Sequence, residues 1–144
     1  MKIWKRPISV EILNSIPKGT ADGHLGVEYI EVGDDFIVAR IPFGDLTKDA
    51  DGKLHPSLPV LLAESLGSVG AAFSCSPQFS AVGLSINANH FRDVESGWVT
   101  GTARPVEIGP STHLWRIDLV DDQNQPVCLT HITLKLVESK ALVR

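Results

Sequence analysis

The residue best suited to chemistry in this chain is Glu64, because it is the only charged side chain in the apolar stretch 58–73. Two hydroxyls, those of Ser65 and Ser68, are the other polar side chains there. A carboxylate in apolar surroundings is costly unless it is paired, hydrogen-bonded or open to water, and acids are almost never fully buried without a partner. The stretch therefore predicts a core helix that carries a functional carboxylate at a cleft.

Two further side chains have the spacing to join Glu64. Ser68 follows it by four residues and so lies on the same helical face. His55 precedes it by nine residues and stands directly before Pro56, where a helix would begin. An imidazole at the start of the helix, with an acid two turns in, indicates a small polar cluster around a cleft. The alternative is a helix that packs on one side and points one glutamate into solvent.

The elements that must position these residues can be predicted from periodicity and turn signals. Ser9 is suited to cap a short helix that runs to Ser15 and is broken at Pro17. Gly33-Asp34 is a hairpin signal between two strands. Hydrophobic and polar residues alternate over 112–120, with Trp115 on the apolar face. The long helix is predicted over 57–75, and the strands over 25–32, 35–42, 79–91, 97–108, 112–120 and 127–137.

One apolar helix followed by four long strands is typical of an α+β fold in which an antiparallel sheet wraps around the helix. Such a sheet has an edge strand whose backbone groups need cover. Pairing of two edges in a homodimer is a natural solution. The order of elements therefore predicts one domain, residues 1–144, that assembles with copies of itself.

Composition excludes several classes of function. The chain has 43% hydrophobic and 21% charged residues, which is ordinary for a soluble domain. A net charge of −4 and a pI near 5.7 argue against nucleic-acid binding. Cys75 and Cys128 lack metal-ligand spacing, so no metal site is expected. The sequence shows no signal peptide and no membrane span, so we expect a cytoplasmic protein.

Four segments resemble one known family. They are Ile3-Trp-Lys-Arg, His24-Leu-Gly-Val, Leu62-Ala-Glu-Ser-Leu-Gly-Ser and Val82-Gly-Leu-Ser-Ile-Asn-Ala-Asn-His-Phe-Arg. In order and spacing they resemble the PaaI-like hotdog-fold acyl-CoA thioesterases. The most similar branch holds 1,4-dihydroxy-2-naphthoyl-CoA hydrolase and the proofreading thioesterase of enterobactin synthesis. The resemblance spans essentially the whole chain.

The resemblance implies a role for each matching residue. Glu64 would attack the thioester carbonyl or activate the water that does, and Ser68 would help to position that acid or water. His55 would sit beside the thioester at the helix N-terminus, whose N–H groups favour a developing oxyanion. Further positions would contact the substrate: Asp49, Ser57, Gly83, His90, Arg92, Gly109 and Ser111. The family implies a homodimer or dimer of dimers with shared sites, a CoA or carrier-protein thioester as substrate, and no other cofactor.

The chain departs from the family pattern at three places around this site. The usual His-Gly-Gly is His55-Pro56-Ser57, and proline has no N–H to donate to an oxyanion. The N–H of Ser57, one residue on, is a possible substitute. Asp49 replaces a glutamine that reaches the thioester oxygen, and Gly109-Pro110 replaces a Gly-Arg that helps to hold a CoA phosphate. These departures predict slow turnover of ordinary substrates.

Two other functions fit the same sequence. A hotdog dehydratase would pair His55 with a helix acid, although the spacing between them is shorter than in that class. A binding protein for acyl thioesters would keep the fold with a weakened oxyanion site. Outside the cluster, His24, His113 and His131 are interpreted as structural, and Trp98 and Trp115 as packing residues. The loop 48–53 is interpreted as a solvated lid. An aromatic acyl group is the first expectation for the substrate, by resemblance only.

Overall fold

The computed structural model describes residues 1–15 and 18–140, so the predicted break at Pro17 lies outside the described residues. Its long helix and six strands confirm the predicted α+β architecture. The elements in chain order are α1 (Val10–Leu13), α2 (Ala21–Leu25), β1 (Glu28–Val32), β2 (Ile37–Pro42), α3 (Ser57–Ser74), β3 (Phe79–His90), β4 (Trp98–Ile108), β5 (Thr112–Val120) and β6 (Pro126–Glu138). The strands form one antiparallel sheet in the order β1-β2-β4-β5-β6-β3.

The N-terminal region differs from the prediction in one element. Ser9 caps α1 as expected, because its Oγ accepts the N–H of Ile12 at 3.1 Å. The segment expected to begin a strand at Leu25 instead forms α2. The side chain of Thr20 caps this helix by accepting the N–H of Gly23, and Gly26 ends it in the left-handed conformation with φ of 78°. The strand prediction for residues 25–27 was therefore wrong.

Helix α3 is the centre of the core and packs against strands β2 to β6. Leu62 and Leu66 are fully buried, as are Trp115 and Ile117 on β5, which confirms the predicted alternation on that strand. Glycine lets the helix approach closely: a Cβ on Gly70 would lie 2.7 Å from the ring of Trp115. Among the described helices, α3 is the one long and apolar enough to span a membrane, and half of it is buried under the sheet, as expected of a core helix.

Strand β3 is an edge strand that is hydrogen-bonded only to β6 within the described part of the chain. The register shifts between Gly83 and Ser85, so the strand carries a bulge there. Val82 and Leu84 are 48% and 58% exposed, which is high for large apolar side chains. Unpaired backbone groups together with exposed apolar side chains make this edge a ready surface for pairing with another strand.

Three of the residues interpreted as structural or packing residues have clear packing roles. His113 is buried, and its Nδ1 accepts a hydrogen bond from Trp115 Nε1 at 3.4 Å. Burial lowers the pKa of His113, which favours the neutral ring that can accept this bond. The guanidinium of Arg40 stacks 4.0 Å from the centre of the Trp98 ring. Both tryptophans therefore serve packing, as predicted.

Candidate active site

Glu64 lies in the middle of α3, half-buried, with its carboxylate against the edge strand β3. A Cβ on Gly83 would be 2.7 Å from Glu64 Oε1, so the missing side chain of this glycine is what makes room for the carboxylate. The bulge in β3 begins at the same residue, as is frequent beside active sites. Among the described residues, no cation lies within 4.0 Å of the carboxylate, and no protein group donates a hydrogen bond to it. Glu64 is therefore a half-buried acid whose oxygens are free for a substrate or water.

Gly83→Ala should lower kcat while leaving the fold intact. The added methyl group would displace the carboxylate of Glu64, and this displacement costs little stability because the contact is the far end of a flexible side chain. We expect kcat to fall by roughly 10- to 100-fold, since small misplacements of a reacting group are expensive. Steady-state kinetics and a thermal melt measure both effects. Gly44→Ala is the matched control, because a Cβ there has no neighbour within 4 Å. Full activity in Gly83→Ala would contradict the prediction, because it would show that catalysis does not depend on the position of the Glu64 carboxylate beside Gly83.

The two serines that follow Glu64 have different surroundings. Ser68 lies one turn further along the same face, and its side chain has no hydrogen-bond partner in the described part of the chain. Ser65 donates a hydrogen bond to Asp22 Oδ1 at 2.9 Å and so ties α2 to α3.

Near Asp22 lies Tyr29, a buried residue whose hydroxyl has no partner among the described residues. Burial first, and then the charge of Asp22, raise the pKa of Tyr29, so its hydroxyl stays protonated. This contact between α2 and α3 was not predicted from the sequence.

His55 stands immediately before α3 and is held by the first residue of the helix. Its Nδ1 lies 3.1 Å from the backbone nitrogen of Ser57 and 2.7 Å from the Ser57 hydroxyl. Its carbonyl accepts the N–H of Leu58 at 2.9 Å. The ring is exposed to solvent. From Ser57 to Glu64 the helix rises roughly 10 Å, so one chain does not bring His55 and Glu64 to the same thioester carbonyl.

A cavity of about 290 Å³ lies between the N-terminus of α3 and the end of β3. Pro56 and Pro59 form its helix side, and His90 and Arg92 its strand side, with Phe91 between them. Arg92 is anchored by a hydrogen bond of 2.7 Å from Nε to the carbonyl of Pro126. The structure thus brings two predicted cleft residues to the start of the helix, next to the backbone on either side of His55. The lining combines apolar side chains with one imidazole, one guanidinium and the carboxylate of Asp93, so it can contact both apolar and polar parts of a ligand.

Asp49 does not line this cavity. Its Oδ1 accepts the N–H groups of Asp51 and Lys53 at 2.9 and 3.0 Å, which closes the loop ahead of His55. These backbone bonds, the one from Lys53 first, lower the pKa of Asp49. Lys53 in turn pairs with Asp93 at 2.7 Å, which ties the loop to the chain after β3. Asp49 is thus a charged residue that shapes the loop.

Gly109 and Ser111 lie in the turn between β4 and β5, away from the cavity. The N–H of Gly109 donates to the carbonyl of Thr112, and Ser111 accepts the N–H of Leu136. Lys135 on β6 is paired with Thr112 on one side and with Val82 on the other. The turn is therefore level with the Glu64 end of β3 and two strands away from it. A single chain does not place these two residues with His90 and Arg92.

The sequence pattern described as the thioesterase superfamily matches residues 51–128, which is more than half of the chain. The chain belongs to this superfamily. It is 36% identical to the 1,4-dihydroxy-2-naphthoyl-CoA hydrolase of Escherichia coli over 135 residues, covering 94% of this chain and 99% of the relative. It is 35% identical to the proofreading thioesterase EntH of Cronobacter turicensis over 131 residues, covering 91% and 96%.

A solved thioesterase from Haemophilus influenzae matches the structure with a TM-score of 0.93 at 34% identity, covering 99% of both chains. These findings confirm the hotdog fold, the family resemblance and the assignment to the thioester hydrolases. Within the superfamily pattern lie His55, Glu64, Gly83, His90 and Arg92. The matched segment therefore contains both the free carboxylate and the cavity.

Proposed function

We propose that this thioesterase hydrolyses acyl-CoA thioesters with Glu64 as the nucleophile or the general base. The observation that supports this most strongly is the carboxylate itself, half-buried, unpaired among the described residues, and given space by Gly83. An acid in such a position can attack a carbonyl or take a proton from water. The cavity beside His90 and Arg92 supplies a place for the acyl group or the pantetheine arm.

Two chemical routes are consistent with this proposal. In the first, Glu64 attacks the thioester carbonyl and expels the CoA thiolate, and water then hydrolyses the resulting mixed anhydride. In the second, Glu64 removes a proton from a water molecule as that water attacks, and the proton passes to the departing sulfur. Both consume one water and release one carboxylic acid and one thiol. We assign to Ser68, one turn along the helix, the role of holding the acid or the water in either route. Neither route requires a metal or a further cofactor.

The decisive experiment is a hydrolysis screen with detection of the released thiol. It compares aromatic, short-chain, long-chain and 3-hydroxyacyl CoA thioesters, together with an acyl group loaded on a carrier protein. We expect an aromatic acyl-CoA to be turned over fastest, because one relative is named for an aromatic substrate, 1,4-dihydroxy-2-naphthoyl-CoA. Saturable binding without thiol release from any member of the panel would contradict hydrolysis and favour a binding role. Thiol release only from the carrier protein would replace CoA with a carrier-bound substrate.

We further propose that two chains pair along β3 and share their active sites. The support is the exposed edge with Val82 and Leu84, together with the separation of His55 from Glu64 within one chain. If a two-fold axis crosses β3 midway between Gly83 and His90, Gly83 of one chain lies opposite His90 of its partner, and the reverse. The start of one α3 would then approach the Glu64 level of the other. Such a dimer, or a tetramer made of two dimers, would be the functional unit. We expect it in the cytoplasm, where thiols such as Cys75 and Cys128 stay reduced.

Sharing of sites can be tested by mixing two inactive variants. A Glu64→Gln subunit and a His55→Ala subunit, co-expressed and purified together, form a mixed dimer in which one site has both native residues. With random assortment, activity should recover to about a quarter of the wild-type level. Light scattering on the same samples should give a multiple of the 15.6 kDa chain mass. A monomer at micromolar concentration would refute pairing. Dimers that show no recovery on mixing would refute sharing.

A further inference from the structure

The contact between Ser57 and His55 determines which ring nitrogen carries the proton. The backbone nitrogen of Ser57 donates its hydrogen to His55 Nδ1 at 3.1 Å, and the Ser57 hydroxyl lies 2.7 Å from the same atom. A backbone N–H can only donate, so Nδ1 must accept with its lone pair. A neutral imidazole with an accepting Nδ1 has its proton on Nε2. The Ser57 hydroxyl can then donate to Nδ1 as well and reinforce this tautomer.

The first turn of α3 has no backbone donor left for a substrate oxygen. Pro56 and Pro59 have no N–H. The N–H of Ser57 is taken by the ring of His55, and that of Leu58 by the carbonyl of His55. A helix N-terminus normally offers several free N–H groups to an anion, but here each of these four positions is blocked. A donor to the thioester oxygen at this end of the helix must therefore come from a side chain.

His55 Nε2 meets the requirements for that donor. Its ring is exposed, and the described residues provide no partner for Nε2. The residues on either side of it, Leu54 and Pro56, line the 290 Å³ cavity. Asp49 Oδ1 accepts the N–H groups of Asp51 and Lys53 in its own loop, and the Asp49 carboxylate makes no hydrogen bond to the ring. The Nε2 hydrogen is thus the free donor at the start of α3.

We propose that Ser57 is a positioning residue that locks His55 in the Nε2–H tautomer, so that the ring supplies the oxyanion hydrogen bond which Pro56 cannot. This inference rests on the proposed thioester hydrolysis. A donor aimed at the oxygen that gains charge in the transition state contributes to kcat more than to substrate binding. A ring without these contacts would populate two tautomers and several orientations, and only some of them could donate to the oxyanion. The contacts with Ser57 favour the one tautomer and orientation that can. Ser57 itself touches no reacting atom.

The tautomer can be measured without any turnover. Nitrogen-15 spectra of histidine-labelled protein, recorded at alkaline pH, distinguish a protonated ring nitrogen from an unprotonated one. The His55→Gln variant identifies the resonances of His55 by their disappearance. We expect protonated Nε2 and unprotonated Nδ1 in the wild type. Ser57→Ala keeps the backbone donor but loses the hydroxyl, so it should show a minor share of the other tautomer. A proton on Nδ1, or an equal mixture in the wild type, would overturn the proposal whether or not the protein hydrolyses the substrates offered.

Kinetics of matched His55 variants test the role of the donor. The amide nitrogen of glutamine can occupy the place of Nε2, whereas that of asparagine occupies the place of Nδ1. We expect His55→Gln to retain kcat within roughly tenfold of wild type, and His55→Asn and His55→Ala to lose about 10²- to 10³-fold, with KM little changed. Ser57→Ala should lose a few-fold in kcat, and Ser57→Thr, which keeps the hydroxyl, should restore it.

The outcomes separate this proposal from the proposed function. If Glu64→Gln is inactive while His55→Gln is as impaired as His55→Ala, hydrolysis stands and the ring-donor role falls. An unchanged kcat in His55→Ala would also overturn it. If wild type shows no hydrolysis, the proposed function fails, and the nitrogen spectra still decide whether Ser57 fixes the tautomer. His55 and Ser57 are exposed, so thermal melts of these variants should match the wild type.

Discussion

Replacing Glu64 with glutamine is expected to reduce kcat by about 10³-fold or more. The change keeps the shape of the side chain but removes both the negative charge and the ability to accept a proton. The space left by Gly83 accommodates either side chain, so substrate should still bind with a similar KM. Steady-state hydrolysis of the best acyl-CoA, with the released thiol as the signal, measures the effect.

Glu31→Gln provides the matched control for this experiment. Glu31 is exposed on β1, at the opposite edge of the sheet from β3, so the same chemical change there should leave the rate unchanged. Both variants should keep the oligomeric state and melting temperature of the wild type. Hydrolysis by Glu64→Gln at the wild-type rate, in a preparation free of other esterases, would exclude a catalytic role for this acid.

Pro56→Gly is expected to raise kcat by roughly 10- to 1000-fold, because it restores a backbone N–H at the residue before α3. An oxyanion can accept more than one hydrogen bond, so the new donor would add to any bond from the ring of His55. Glycine also increases the freedom of the unfolded chain, so the variant should lose about 0.5–1 kcal/mol of stability. Rates with the same substrate and chemical denaturation of both proteins test the two effects together.

The control for this prediction is Pro7→Gly, which makes the same chemical change at an exposed N-terminal position. It should leave kcat unaltered. The prediction would be wrong if Pro56→Gly hydrolysed the substrate no faster than a wild type that already turns over several times per second. The thioester oxygen would then be stabilised by groups away from residue 56, and the replacement of glycine by proline would have no catalytic cost.

Much of the architecture follows from local sequence signals. The predicted helix over 57–75 is Ser57–Ser74 in the structure, and the last four predicted strands overlap β3 to β6 closely. These elements are long and strongly patterned, which is where periodicity is most informative. Helix α2 has five residues, too few for a period to show, and its signal is the capping pair Thr20 and Gly26. The apolar residues Leu25 and Val27 instead suggested a strand.

The candidate site was predictable in part. Glu64 stood out because a single acid in an apolar helix is unusual, whereas Gly83, His90 and Arg92 were indicated only by the family resemblance. The hydrogen bond between Ser65 and Asp22 joins residues 43 positions apart, and a single sequence has no signal for such a contact.

Two local arrangements at the start of α3 could have been inferred from the sequence. Asp49, followed by Asp51 and Gly52, is typical of a turn in which the first carboxylate accepts N–H groups of its own loop. Ser57 lies two residues after His55 at the start of a helix, so its N–H points back toward the imidazole. Both arrangements are set by a few neighbouring residues.

The position of α3 in the chain has a consequence for biosynthesis. The helix is translated before β3, β4, β5 and β6, which together with β2 cover it in the finished protein. The ribosome must continue to Glu138 before the last of these strands exists, which takes several seconds at roughly 5–20 residues per second. Until those strands emerge, the cover of this apolar helix comes from segments translated before it, which include α2 and the β1–β2 hairpin. The growing polypeptide is therefore a natural client for chaperones that shield apolar helices, and mutations that slow strand pairing should lower the yield of folded protein before they alter its activity.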